Sequence, residues 1–301
     1  MNISKTHKAF TLYKLPVLHV LVLSLIYLLS VLGLFLYLQE DVDIVNQLLA
    51  IGMFLGSTII AYIPCVGLLM MIFYRYRITV FTGRNIVFTV CLTLIQIALF
   101  ALLGAIVFPV IDRNPANYFL LMLLQPFLPL VFMVILPLGL WYVVKLFYQQ
   151  LDTYQGELPT NRIYWRFSNM FSIFAFLVAI VSLVSPLLFL VEFYIAPMWQ
   201  FSGVEYLLFL MIIPMAVSLF IIVFSKSIAL NQLHIRAAFT AARELVFWGI
   251  LFSYLFMYVL AEYSYQLEGM SQSVMIFLGI LGLLAITVFT YWVVKRRFSN
   301  I

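Results

Sequence analysis

Eight long apolar stretches, separated by short polar loops, occupy almost all of this 301-residue chain and leave no segment long enough to build a water-soluble domain. A backbone inside lipid must satisfy its own polar groups, so only helices or a closed barrel can span it. A barrel needs strands of about ten residues alternating in polarity, and these runs are continuous, so they select helices. Composition agrees: 66% of residues are hydrophobic, 9% are charged and the mean hydropathy is +1.15, far outside the range of ordinary soluble domains. The expected fold class is all-α, a polytopic integral membrane helix bundle with eight transmembrane helices.

A hydrocarbon core of about 30 Å takes about 20 residues per helix. The spans fall near Leu15 to Tyr37, Gln47 to Tyr74, Ile86 to Ile111, Phe119 to Tyr148, Met170 to Ile195, Tyr206 to Leu230, Leu245 to Tyr265 and Val274 to Val294. The first is long and lacks a small-residue cleavage site, so it reads as a retained signal anchor. Of the 16 Lys and Arg residues, all but Arg113 fall on alternate loops or on the two termini, which would share one side of a bilayer. The Lys/Arg bias sets orientation, which predicts a multi-pass plasma (inner) membrane protein with both termini cytoplasmic. The net charge of +5 follows from the same bias and gives no reason to expect nucleic acid; anionic lipid at the inner leaflet is the simpler partner.

The chain reads as built twice. The stretch from Tyr76 to Phe88, YRITVFTGRNIVF, lies without gaps on Ile235 to Phe247, IRAAFTAARELVF, matching Arg77 to Arg236 and Arg84 to Arg243. The same shift carries the first helix onto the fifth and the next three onto their successors. Four helices are an even number, so the halves have one orientation, a parallel 4+4 internal repeat. The expected organisation is a four-helix half over residues 1–148, a cytoplasmic linker over 149–169 and a second four-helix half over 170–301. Gly156, Pro159 and Asn161 mark a turn in the linker.

Sites of catalysis are not apparent. The three histidines, His7, His19 and His234, are far apart, so the HExxH arrangement that holds zinc is missing. There is no GxSxG elbow, no P-loop, and no pair of aspartates inside a span. Cys65 and Cys91 have neither zinc spacing nor a CxxC pattern and read as packing residues. Neither a metal nor a cofactor is implied. Gln96, about 15 Å into the third helix, reads as an amide that joins helices, as does Gln125. Prolines interrupt the second helix at Pro64, the fourth at Pro126, Pro129 and Pro137, the fifth at Pro186 and the sixth at Pro214. Gly52 and Gly56 form a small-xxx-small pair for close helix contact.

Two groups of residues are candidates for function. Glu192 and Glu262, near the outer ends of the fifth and seventh helices among tyrosines, would form with Gln125 an outer-side site for a cation or amine headgroup. Their repeat partners are Gly33 and Leu103, so only the second half carries this feature. The arginine pairs Arg77 with Arg84 and Arg236 with Arg243 are each about two helical turns apart and line one face wherever the chain there is helical. Such faces suit lipid phosphates or an acidic partner. The expectation is a non-enzymatic membrane protein that binds membrane lipids or other envelope proteins in an accessory or scaffold role. The alternative is a transporter of an apolar or amphipathic solute built on the two parallel repeats.

Overall fold

The computed structural model of the chain describes residues 9–38, 64–112, 136–195, 204–224, 230–262 and 272–299. Among these the fold is all-helical, with no strand and a single isolated bridge between Phe10 and Val80. The helices are α1 (Lys14–Leu38), α2 (Pro64–Arg75), α3 (Gly83–Asp112), α4 (Leu136–Phe147), α5 (Arg162–Ile195), α6 (Val204–Phe224), α7 (Ile235–Glu262) and α8 (Gln272–Phe298). Two stretches among the described residues are long and apolar enough to cross a membrane, Arg162–Val184 in α5 and Gly279–Phe298 in α8. The N-terminal parts of the second and fourth expected spans, with Gly52, Gly56, Arg113, Gln125, Pro126 and Pro129, lie outside the described residues.

Helices α1, α3 and α8 sit close to the limits read from the apolar runs, but α5 and α7 begin well before them. Helix α5 starts at Arg162, where Met170 was expected, because Asn161 caps it: its Oδ1 accepts the amides of Ile163 at 3.0 Å and Tyr164 at 3.4 Å. An Asn in this position satisfies amides that have no carbonyl one turn back. Residues 162–169, read above as the end of the linker, are therefore the first turns of α5. Helix α7 starts at Ile235 instead of Leu245. Its opening turns are rich in alanine, the strongest helix former, so the helix runs on beyond its apolar section.

The chain divides into two compact units, one holding the described residues up to Pro159 and one those from Thr160 onward. In the first, the starts of α1 and α3 meet the ends of α2 and α4. The Thr11 amide donates to the Thr79 carbonyl and the Tyr154 amide to the Arg77 carbonyl, both at 2.8 Å. The rings of Phe10 and Tyr154 pack edge to face at 5.1 Å. Beneath this knot Leu15, Leu69, Phe73, Leu92 and Val144 form the buried core. The second unit holds α5 to α8. Helix α5 packs on α6 and α7, and α8 packs on α6 and α7. Ala238, Ala241, Ala242 and Leu245, at i, i+3, i+4 and i+7, are fully buried along one face of α7.

Helix α2 ends in a Schellman motif. The Ile78 amide reaches back to the Phe73 carbonyl at 2.9 Å and the Arg77 amide to the Tyr74 carbonyl at 3.1 Å, which forces Arg77 to a φ of 55°. That left-handed conformation costs a non-glycine residue about 1–2 kcal/mol. Arg77→Gly is accordingly expected to raise the unfolding free energy by about 1 kcal/mol in a denaturant titration of the detergent-solubilised protein. An unchanged or lower value would contradict the strained turn.

Polarity is distributed inside out. Thr89, Thr93, Gln96, Ser172, Ser218, Ser253 and Thr290 are buried, whereas Leu21, Leu25, Leu99, Val217, Phe277, Leu284 and Val288 are exposed. Several buried hydroxyls return their hydrogen to the carbonyl one turn back, as Thr89 does to Asn85 and Ser172 to Ser168. This satisfies them within their own helix.

Candidate functional site

The site is built from a loop that one buried amide holds in place. Asn169, on the second turn of α5 and 1% exposed, gives Nδ2 hydrogens to the carbonyls of Trp165 and Gln232 and accepts the His234 amide on Oδ1, each at 2.8 Å. This fixes the segment that leads into α7. The ring of Phe298, at the end of α8, meets the His234 ring edge-on at 6.4 Å. Glu244 on α7 then ties the two helices together. Its Oε1 pairs with Arg296, and its Oε2 accepts Nε of Arg297 at 2.8 Å and lies 2.7 Å from Nη2.

Between the first turns of α7 and the last turn of α8 lies an open groove of about 720 Å³, lined by His234, Ile235, Arg236, Ala237, Thr240, Arg296 and Arg297. Arg236 is exposed, and Arg296 lies over the Trp292 ring with its Cζ 4.4 Å from the centroid. Burial holds the His234 imidazole below its ordinary pKa, so the cationic groups of the groove are its three guanidiniums, two of them paired with Glu244. Arg243 is exposed on the same helix but outside the groove lining.

Arg77 and Arg84, which the sequence alignment matches to Arg236 and Arg243, sit differently. Arg84, on the first turn of α3, donates from Nη1 to the Gln150 carbonyl at 3.1 Å, and Arg77 belongs to the turn that ends α2. The pair therefore shares no helix face, whereas Arg236 and Arg243 share α7. Next to Arg84, Asn85 does for the first unit what Asn169 does for the second. It is fully buried, donates from Nδ2 to the carbonyls of Val80 and Asp152 at 2.9 Å, and accepts the Asp152 amide at 3.0 Å.

Of the outer-side candidates, Glu192 lies in the last turn of α5 and Glu262 is the final residue of α7. Gln125 lies outside the described residues. A separate polar cluster lies between α1 and α3. The fully buried His19 shares a 2.8 Å hydrogen bond between Nδ1 and Thr93 Oγ1. Gln96 faces the same ring, yet neither His19 Nε2 nor Gln96 Oε1 has a partner at normal hydrogen-bond geometry.

The groove residues His234, Arg296, Arg297 and Glu244 were not singled out by sequence. The available signal was Glu244, an acid set directly after Arg243 in an otherwise basic stretch and needing cations to pair with. No protein-family model, curated protein or solved structure matches this chain.

Proposed function

We propose that the chain is a non-enzymatic, multi-pass inner-membrane protein. It crosses the bilayer eight times with both termini in the cytoplasm, and binds lipid or a membrane-complex partner through the basic ends of its helices. The observation that carries this reading is the charge at four helix starts. Helices α1, α3, α5 and α7 open on Lys14, Arg84, Arg162 and Arg236, and none has an acidic residue in its first turn. A helix N-terminus bears partial positive charge and favours acids there by about 0.3–1 kcal/mol each. Four starts with the opposite preference are unfavourable in isolation and favourable against an anionic surface, which the inner leaflet supplies.

The inside-out polarity supports immersion in lipid, because exposed leucine and phenylalanine faces are costly only in water. Rings stacked with cations in the last turns of α4 and α8, Lys145 with Trp141 and Lys295 with Tyr291, suit an interfacial belt. The parallel 4+4 repeat is supported by pairing: α1 packs on α3, and their counterparts α5 and α7 pack together. That same repeat, with Pro214 inside α6, favours a transporter as the second reading.

Two measurements test the proposal. In a Cys65→Ala, Cys91→Ala background, Arg84→Cys and Arg243→Cys are expected to react with impermeant maleimide only in inside-out vesicles; labelling from opposite faces would sink the topology. In native membrane discs, Arg77→Ala combined with Arg236→Ala is expected to lose a co-purifying lipid or protein. Solute uptake by vesicles, with nothing co-purifying, would establish the transporter instead.

A further inference from the structure

We propose that the groove between the first turns of α7 and the last turn of α8 holds the phosphate of an anionic phospholipid. Arg236, Arg296 and Arg297 grip the phosphate, and the acyl chains lie along the exposed faces of the two helices. This rests on the membrane reading above and names the ligand of one site within it. Three arginines line the groove, and one carboxylate, Glu244, pairs with two of them, Arg296 and Arg297. Each guanidinium carries five N–H donors, so the bonds of Arg296 and Arg297 to Glu244 leave donors free. Planar guanidiniums match phosphate oxygens two at a time.

The groove is shaped by fixed parts. Asn169 holds its floor at His234, and Glu244 holds Arg296 and Arg297 in place. Little side-chain ordering then remains to be done on binding, which favours affinity. Ile235, Arg236 and Ala237, whose amides have no carbonyl one turn back in the helix, line the same groove. Their N–H dipoles add to the arginine field.

The surroundings select a lipid over a soluble phosphate. One turn along α7 from Arg236 is Phe239, which is exposed; beneath Arg296 on α8 are exposed Trp292, Val288 and Leu284. Behind them Trp248, Phe252, Phe289 and Trp292 form a ladder of rings with centroids about 6 Å apart that joins α7 to α8. A charged groove that opens directly onto an apolar wall suits a molecule with a phosphate at one end and hydrocarbon at the other. An acidic peptide or inorganic phosphate gains nothing from that wall.

The test uses the full chain in phosphatidylcholine discs doped with phosphatidylglycerol, with retained phosphatidylglycerol read by native mass spectrometry. Arg236→Gln is expected to cut retention about tenfold, the loss of one charge-assisted contact. Arg236→Lys is expected to fall between, and Gln149→Ala, at an exposed position in the other unit, to match the unaltered protein. Arg236 is exposed, so its variants keep the fold, which an unchanged thermal midpoint confirms. Equal retention in Arg236→Gln and in Arg296→Gln with Arg297→Gln would overturn this site while leaving lipid binding elsewhere intact. Displacement of phosphatidylglycerol by inorganic phosphate, with equal thermal protection by phosphate in pure phosphatidylcholine discs, would overturn the lipid assignment in favour of a soluble anion. No lipid and no protein retained by any form would sink the membrane-binding reading as a whole.

Discussion

Asn169→Leu is expected to lower the unfolding free energy by about 2–6 kcal/mol, because it strands the Gln232 carbonyl and the His234 amide at roughly 1–3 kcal/mol each. Leucine is of similar size, so the loss is of hydrogen bonds and not of volume. Those bonds, at 2.8 Å, hold Gln232 and His234 where the chain enters the first turn of α7. Denaturant titration in detergent, followed by tryptophan fluorescence, would measure the change. Asn169→Asp, which keeps the acceptor but sets a buried carboxylate oxygen against the Trp165 and Gln232 carbonyls, should cost at least as much. A change below about 0.5 kcal/mol, within the range of an ordinary surface substitution, would mean that the loop is held by something else. The same variant should also weaken phosphatidylglycerol retention, since His234 and Arg236 take their positions from this loop.

Trp165→Ala is the second substitution of large effect, with an expected loss of about 3–5 kcal/mol. Trp165 lies one turn before Asn169 on α5 and is fully buried, the largest side chain among the fully buried residues. Its ring meets that of Tyr164 edge to face at 5.3 Å. Truncation leaves a cavity that the neighbouring turns fill only partly. Trp165→Phe should recover more than half of the loss, and the ordering wild type, Phe, Ala is the result to look for. If Ala and wild type unfolded at the same denaturant concentration, Trp165 would not be part of a packed core.

Hydropathy located α1, α3 and α8 well because their apolar sections fill nearly the whole helix. It placed the starts of α5 and α7 too late, since those helices continue on polar and alanine-rich turns that no apolar run marks. Asn161 was noticed, but as a turn residue; the same short amide that favours turns also caps helices, and only the chain following it decides which. Asn85 and Asn169 were invisible for a different reason. Each acts on backbone more than sixty residues away, a relation that local pattern does not encode. Arg77 and Arg84 were read as a matched pair because one-dimensional alignment assigns both to equivalent positions. The Schellman turn at Arg77 and the reach of Arg84 to Gln150 are properties of the closed fold. Gln96 was legible, because an amide deep in an apolar run has to be buried against something, and the structure sets it beside His19.

The fully buried face of α7 is made mostly of methyl groups, with Ala238, Ala241 and Ala242 ahead of Leu245, and the helix is packed against α5. Methyls have no rotamers to lose on packing, so this seam closes without a side-chain entropy cost and lets the two backbones approach closely, which seats the helix that carries the groove directly against its neighbour.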